Sequence, residues 1–70
     1  MTGKQFRNAR RRLGLSQREM GARLGVGKQQ VYKIEAGLRS ADCHYLAVKG
    51  LLYEHNLSFQ EVKRICGAGR

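Results

Sequence analysis

The sequence predicts an all-α fold: a compact, five-helix bundle without a sheet. Three observations carry this expectation. Three capping boxes of the form S/T-x-x-E/Q mark helix starts, at Thr2–Gln5, Ser16–Glu19 and Ser58–Glu61. In such a box the first side chain accepts from the backbone of the fourth residue, and the fourth returns the bond. There is no proline, and Gly14, Gly25, Gly37 and Gly67 fall where helices would stop, since glycine takes the left-handed conformation cheaply. No stretch of useful length alternates apolar and polar residues with period two.

The elements follow in order. Helices are expected at about 3–13, 17–24, 28–36, 41–55 and 59–66, with ends good to a few residues. Each capping box is flanked by an apolar pair spaced as a hydrophobic staple: Met1 with Phe6, Leu15 with Met20 and Leu57 with Val62. Val26 and Val31 repeat that spacing around Gly27, a permissible cap. Ser40 is expected to cap the fourth helix, with Asp42 favouring its positive end. Phe6, Leu13, Leu15, Leu46 and Leu52 are expected in the core.

Seventy residues make one domain, 1–70, with only a small core. The two cysteines, Cys43 and Cys66, lie far apart and form no CxxC pair. Adjacent Cys43 and His44 lack a second ligand pair at zinc spacing, so no metal, cofactor or disulfide is expected. There is no apolar run of a signal peptide and no stretch long enough to span a bilayer, so a cytoplasmic protein is expected. His44 and His55 have no partner arrangement for catalysis. Neither a Ser, His and Asp set nor paired carboxylates appear, so no enzyme is proposed.

The net charge is +9 and unevenly spread. Residues 1–39 hold ten Lys or Arg and two acids; residues 40–70 hold four and three. A basic front half suggests a surface for a polyanion, either nucleic acid or an anionic membrane, and charge alone does not choose.

The stretch 17–36 chooses. Two short helices are joined by Gly25-Val26-Gly27. A helix-turn-helix crosses its helices closely and needs a small residue at the approach, which Gly21 supplies. Met20, Leu24, Val26, Val31 and Ile34 sit at the spacings that fill the wedge. Lys28, Gln29, Gln30, Tyr32 and Lys33 then make an exposed face of amides and amines.

The run Gly14-Leu15-Ser16-Gln17, Met20-Gly21, Leu24-Gly25-Val26, Val31-Tyr32-Lys33-Ile34-Glu35-Ala36-Gly37 and Arg39 resembles the lambda-repressor-like helix-turn-helix family, of Cro/repressor or Xre type. The resemblance covers about residues 4–62. It implies a five-helix domain that binds double-stranded DNA, usually as a homodimer on a two-fold-symmetric operator. It implies that Lys28, Gln29, Gln30 and Lys33 read bases. Gln17 matches a position that contacts the DNA backbone and braces a recognition-helix amide. Arg10 and Glu35 match a partly buried salt bridge. Arg39, just past the recognition helix, matches a phosphate contact. Three residues depart from the family pattern: Gly27 stands for the commoner Ser or Thr, Gly21 for Ala, and Ser40 for Pro.

Weighed singly, Gln29 and Gln30 suit adenine, whose N7 accepts and N6 donates in the major groove. Lys28 and Lys33 reach guanine or only phosphate. Arg11 and Arg12 either touch phosphate or are surface charges favoured at a helix C-terminus, and Arg7, Arg18 and Arg23 are similar. Tyr32 either meets the DNA backbone or leans on the second helix. Helix 4 is more apolar than one buried face requires, and helix 5 adds Phe59, Val62 and Ile65. That surplus predicts a dimer seam within 53–66.

The expected function is therefore a sequence-specific transcriptional regulator, a dimeric repressor or autorepressor of phage, mobile-element or controller type. The alternative is an antitoxin-like or adaptor module whose surplus apolar surface meets another protein. Non-specific compaction of nucleic acid is a weaker option, since it needs charge but no base-reading helix.

Overall fold

The computed structural model describes residues 1–67; the last three residues of the expected 1–70 domain lie outside them. Five α-helices form, α1 (Gly3–Arg12), α2 (Gln17–Leu24), α3 (Lys28–Glu35), α4 (Tyr45–Glu54) and α5 (Phe59–Cys66), with a 3₁₀ turn at Asp42–His44. The described residues contain no strand.

All three capping boxes close. The Thr2, Ser16 and Ser58 hydroxyls accept from the Gln5, Glu19 and Glu61 amides, and those side chains accept from the cap amides in return. Hydrogen bonds hold both glutamates below the ordinary carboxylate value, from the Ser16 backbone and side chain for Glu19 and from the Ser58 backbone and the Arg12 side chain for Glu61.

Helices α1 to α4 stop in the same way. A left-handed residue lets two amides turn back onto the last turn, the Schellman arrangement. At α3, Gly37 N–H donates to Ile34 and Leu38 N–H to Lys33, at 3.1 and 2.8 Å. Gly14 (φ 72°) and Gly25 (φ 76°) occupy the equivalent places after α1 and α2. After α4 the place is taken by Asn56 (φ 66°), with Leu57 N–H donating to Leu52 at 3.2 Å. Gly67 differs from expectation. Its φ of 87° is positive, but ψ is 163°, so it is not a left-handed helical stop.

The expected helix 41–55 is also corrected. The Ser40 hydroxyl accepts from the Asp42 amide at 3.1 Å, two residues on. That short loop tightens the first turn into 3₁₀ geometry, as is common at helix starts. Asp42 lies 3.6 Å from the Met1 ammonium group instead of serving α4.

The core is Phe6, Ala9, Met20, Val31, Ile34, Ala41, Val48, Leu52, Leu57, Val62 and Cys66. Leu13 and Leu15 pack against it half-buried. Helix α1 packs on α3, α4 and α5, while α2 packs mainly on α3. Leu46, expected in the core, is 77% exposed. Val48 and Leu52 already give α4 its buried side, so Leu46 is left facing solvent. Both cysteines are free, with Cys43 exposed and Cys66 buried.

Candidate nucleic-acid interface

The α2–α3 unit is the part of the fold that presents polar side chains on a rigid support. Its crossing depends on Gly21. A Cβ there would lie 2.6 Å from the Val26 carbonyl oxygen, which is backbone and cannot swing aside. Met20, Val31 and Ile34 are buried between the elements, and Leu24 and Val26 pack against them.

Burial of Val31, Ile34 and Glu35 turns the remaining side of α3 outward. Lys28, Gln29, Tyr32 and Lys33 are exposed there, and Gln30 is half-buried. The side chains of these five make no hydrogen bond or ion pair with another described residue. Gly27, extended at φ −83° and ψ 166°, precedes the helix without a side-chain cap. Arg39 is exposed just past α3, and Arg11 is exposed in the last turn of α1.

Glu35, at the inner end of α3, is held by four side-chain contacts. Arg10 Nε donates to Oε2 at 2.6 Å and Arg10 Nη2 to Oε1 at 3.1 Å. Gln17 Nε2 donates to Oε1 at 3.2 Å, and Arg7 Nε stands 3.6 Å from the same oxygen. Arg10 Nη1 also donates to the Leu15 carbonyl at 3.0 Å, closing the α1–α2 connection. The cluster thus fastens α1, the start of α2 and the end of α3 together. Burial pushes the Glu35 carboxyl up, but the Arg10 and Gln17 hydrogen bonds and the charges of Arg10 and Arg7 outweigh it. The net effect is an acid below its ordinary value, ionised at neutral pH.

Three residues therefore have partners that sequence reasoning missed. Gln17 braces a carboxylate on α3, where an amide was expected. Arg7, read as a surface charge, sits beside Glu35; only its spacing of one turn from Arg10 hinted at this. Arg12 is also engaged, donating to Glu61 of α5 at 2.6 Å. That leaves Arg11 as the member of the 10–12 run without a side-chain partner among the described residues.

The arrangement is a braced helix whose outward face carries two amides, two ammonium groups and a phenol. Amides and ammonium groups match the acceptors and donors on base edges in the major groove, which admits one helix. No helix among the described residues is long and apolar enough to cross a membrane. No group of His, Cys, Asp and Glu among them suits a metal ion. Neither a curated protein nor a solved structure matches the chain. A family model described as helix-turn-helix matches residues 6–42, which run from within α1 through α2 and α3 to the start of the 3₁₀ turn. This chain belongs to the helix-turn-helix family of Cro/repressor type, and it is a DNA-binding regulator of that kind.

Proposed function

We propose that this protein is a sequence-specific repressor or autorepressor, of the phage, mobile-element or controller kind, which reads the major groove with α3. The observation that carries the reading is the unpartnered outer face of α3, fixed in place by the Glu35 cluster behind it. Lys28, Gln29 and Lys33 are its exposed base-reading residues, with half-buried Gln30 at the edge. Arg39, Arg11 and Tyr32 hold the DNA backbone, and Gln17 contributes by steadying the end of α3.

Two copies bind a two-fold-symmetric operator, with their recognition helices about 34 Å apart in successive grooves. Within the seam expected at 53–66, Tyr53 and Phe59 are the large apolar residues left exposed, and exposed Leu46 of α4 offers further surface on which the two copies are proposed to meet. Leu57, Val62 and Cys66 of that stretch are buried in the chain's own core, which narrows the surface left for a partner. An adaptor role is favoured by the same exposed aromatic residues and does not compete with DNA binding, since α3 is not involved.

Selection of bound duplexes from a random pool tests the reading. A palindromic consensus with half-sites one helical turn apart is expected. Recovery of unrelated sequences at equal affinity would reject sequence-specific function. Sedimentation with the selected duplex is expected to show two chains per site.

A further inference from the structure

One feature of the surface is not used by DNA reading. Between α4 and α5 runs an open groove with a cavity of about 300 Å³. One wall is Tyr45, Lys49 and Tyr53, successive turns of α4. The other is Phe59, Val62, Lys63 and Cys66 of α5. Val62 and Cys66 are fully buried and form an apolar floor, while Phe59 is 65% and Tyr53 41% exposed at the rim. Lys49 Nζ lies 5.0 Å from the centre of the Tyr45 ring, a cation–π contact that holds the ammonium group at the edge.

The geometry points to a docking groove for an acidic, amphipathic helix of a partner protein, with apolar side chains against the exposed rings of Tyr53 and Phe59 and carboxylates on Lys49 and Lys63. A groove between two helices accepts anchors at i, i+3, i+4 and i+7 of a third. Charge selects among possible occupants. The lining holds two lysines and no carboxylate. The Glu61 carboxylate of α5 already accepts from the Ser58 amide and from Arg12. A second copy, paired by a two-fold axis, would bring the same patch onto itself, lysines against lysines. An acidic partner instead gains from both ammonium groups. Two copies on one operator are then held by the DNA and by surface outside the groove, such as Leu46.

The groove draws no residue from α2 or α3, so a duplex and a docked helix use different elements. The protein can then carry its partner to DNA, and the two binding events are separable by experiment.

The test uses the full chain, labelled with ¹⁵N, and two synthetic peptides of roughly 15 residues, a length that spans such a groove. Both peptides carry Leu and Phe at i, i+3, i+4 and i+7; one has Glu at the flanking positions and the other Lys. The Glu peptide is expected to shift the amides of Lys49, Tyr53 and the stretch 59–66 saturably, and to bind equally well when duplex DNA is present. Lys63→Glu, at an exposed site, is expected to weaken it about tenfold through charge reversal while leaving DNA affinity in place. Phe59→Ala, also exposed, is expected to weaken it without loss of fold. Equal binding of the Lys peptide, shifts confined to α3, or no binding of the Glu peptide would overturn the proposal. So would a wild-type dimer that Phe59→Ala dissociates, because a second copy would then be the occupant.

Discussion

Arg10 and Glu35 form a two-point ion pair, 2.6 and 3.1 Å, that ties α1 to the inner end of the recognition helix. It sits behind the exposed face of α3, so its loss is felt as stability and as disorder of the reading surface. Glu35→Ala leaves Arg10 partly buried with only the Leu15 carbonyl, and is expected to cost about 2–4 kcal/mol in chemical denaturation. A change below about 0.5 kcal/mol, the size expected of an exposed pair, would remove the cluster from the account.

The same pair sets an acid dependence. The Glu35 carboxyl is lowered in the folded state, so it contributes stability above the ordinary glutamate value of about 4.3. That contribution fades as pH falls through the lower folded value. Glu19 and Glu61 act in the same direction. Thermal unfolding is therefore expected to be flat near neutrality and to weaken below about pH 4.5. The acid-side loss should be smaller in Glu35→Gln, and an unchanged acid limb in that variant would contradict the assignment.

Gly21 is required by a close approach. Replacement by Ala gains up to about 1 kcal/mol of helix propensity but forces a Cβ against the Val26 carbonyl, an overpacking cost of about 1–3 kcal/mol. The net expectation for Gly21→Ala is destabilisation, together with weaker DNA binding, because the angle between α2 and α3 must open. A more stable variant with full DNA affinity would show that the crossing tolerates a methyl group.

Asn56 is the fourth left-handed helix stop. Asn56→Ala places an ordinary side chain at φ 66° and is expected to cost about 1 kcal/mol, whereas Asn56→Gly is expected to be neutral or stabilising. Equal stability of the two variants would contradict this reading of the α4–α5 connection.

The contrast between Asn56 and the glycines shows how far local chemistry carries. Thr2, Ser16 and Ser58 announce their helices because the partner of each cap is three residues away. Gly14, Gly25 and Gly37 announce the stops because their conformation strongly favours glycine. Asn tolerates that conformation but has many other uses, so Asn56 carried no such signal. Long-range features were legible only in part. The resemblance implied the Arg10–Glu35 pair, but Gln17 and Arg7 reach Glu35 through the packing of three elements, which spacing along the chain does not encode. Leu46 misled for a related reason: apolar character says that a residue prefers cover, not that the fold supplies it. The expected helix from residue 41 failed at Ser40, whose hydroxyl bonds two residues ahead, where a helix cap was expected to reach further. For the interface, burial of Val31 and Ile34 was readable from their spacing, and it decides which side of α3 faces outward.

Contacts to phosphate and to bases are expected to separate by salt. Arg39→Ala should weaken all duplexes alike and lower the slope of log affinity against log salt by about one. Lys33→Ala should cost about 1–3 kcal/mol on the selected site and less on random DNA. Parallel salt titrations of the two variants check this, and identical slopes for Arg39→Ala and the parent would reject its phosphate role.

The central claim is that the outer face of α3 reads sequence, and repeating the selection of duplexes with Gln29→Ala tests it most directly. The parent is expected to enrich a palindrome, and the variant to enrich the same palindrome with preference lost at one position in each half-site. An unchanged consensus, with unchanged affinity, would contradict the claim.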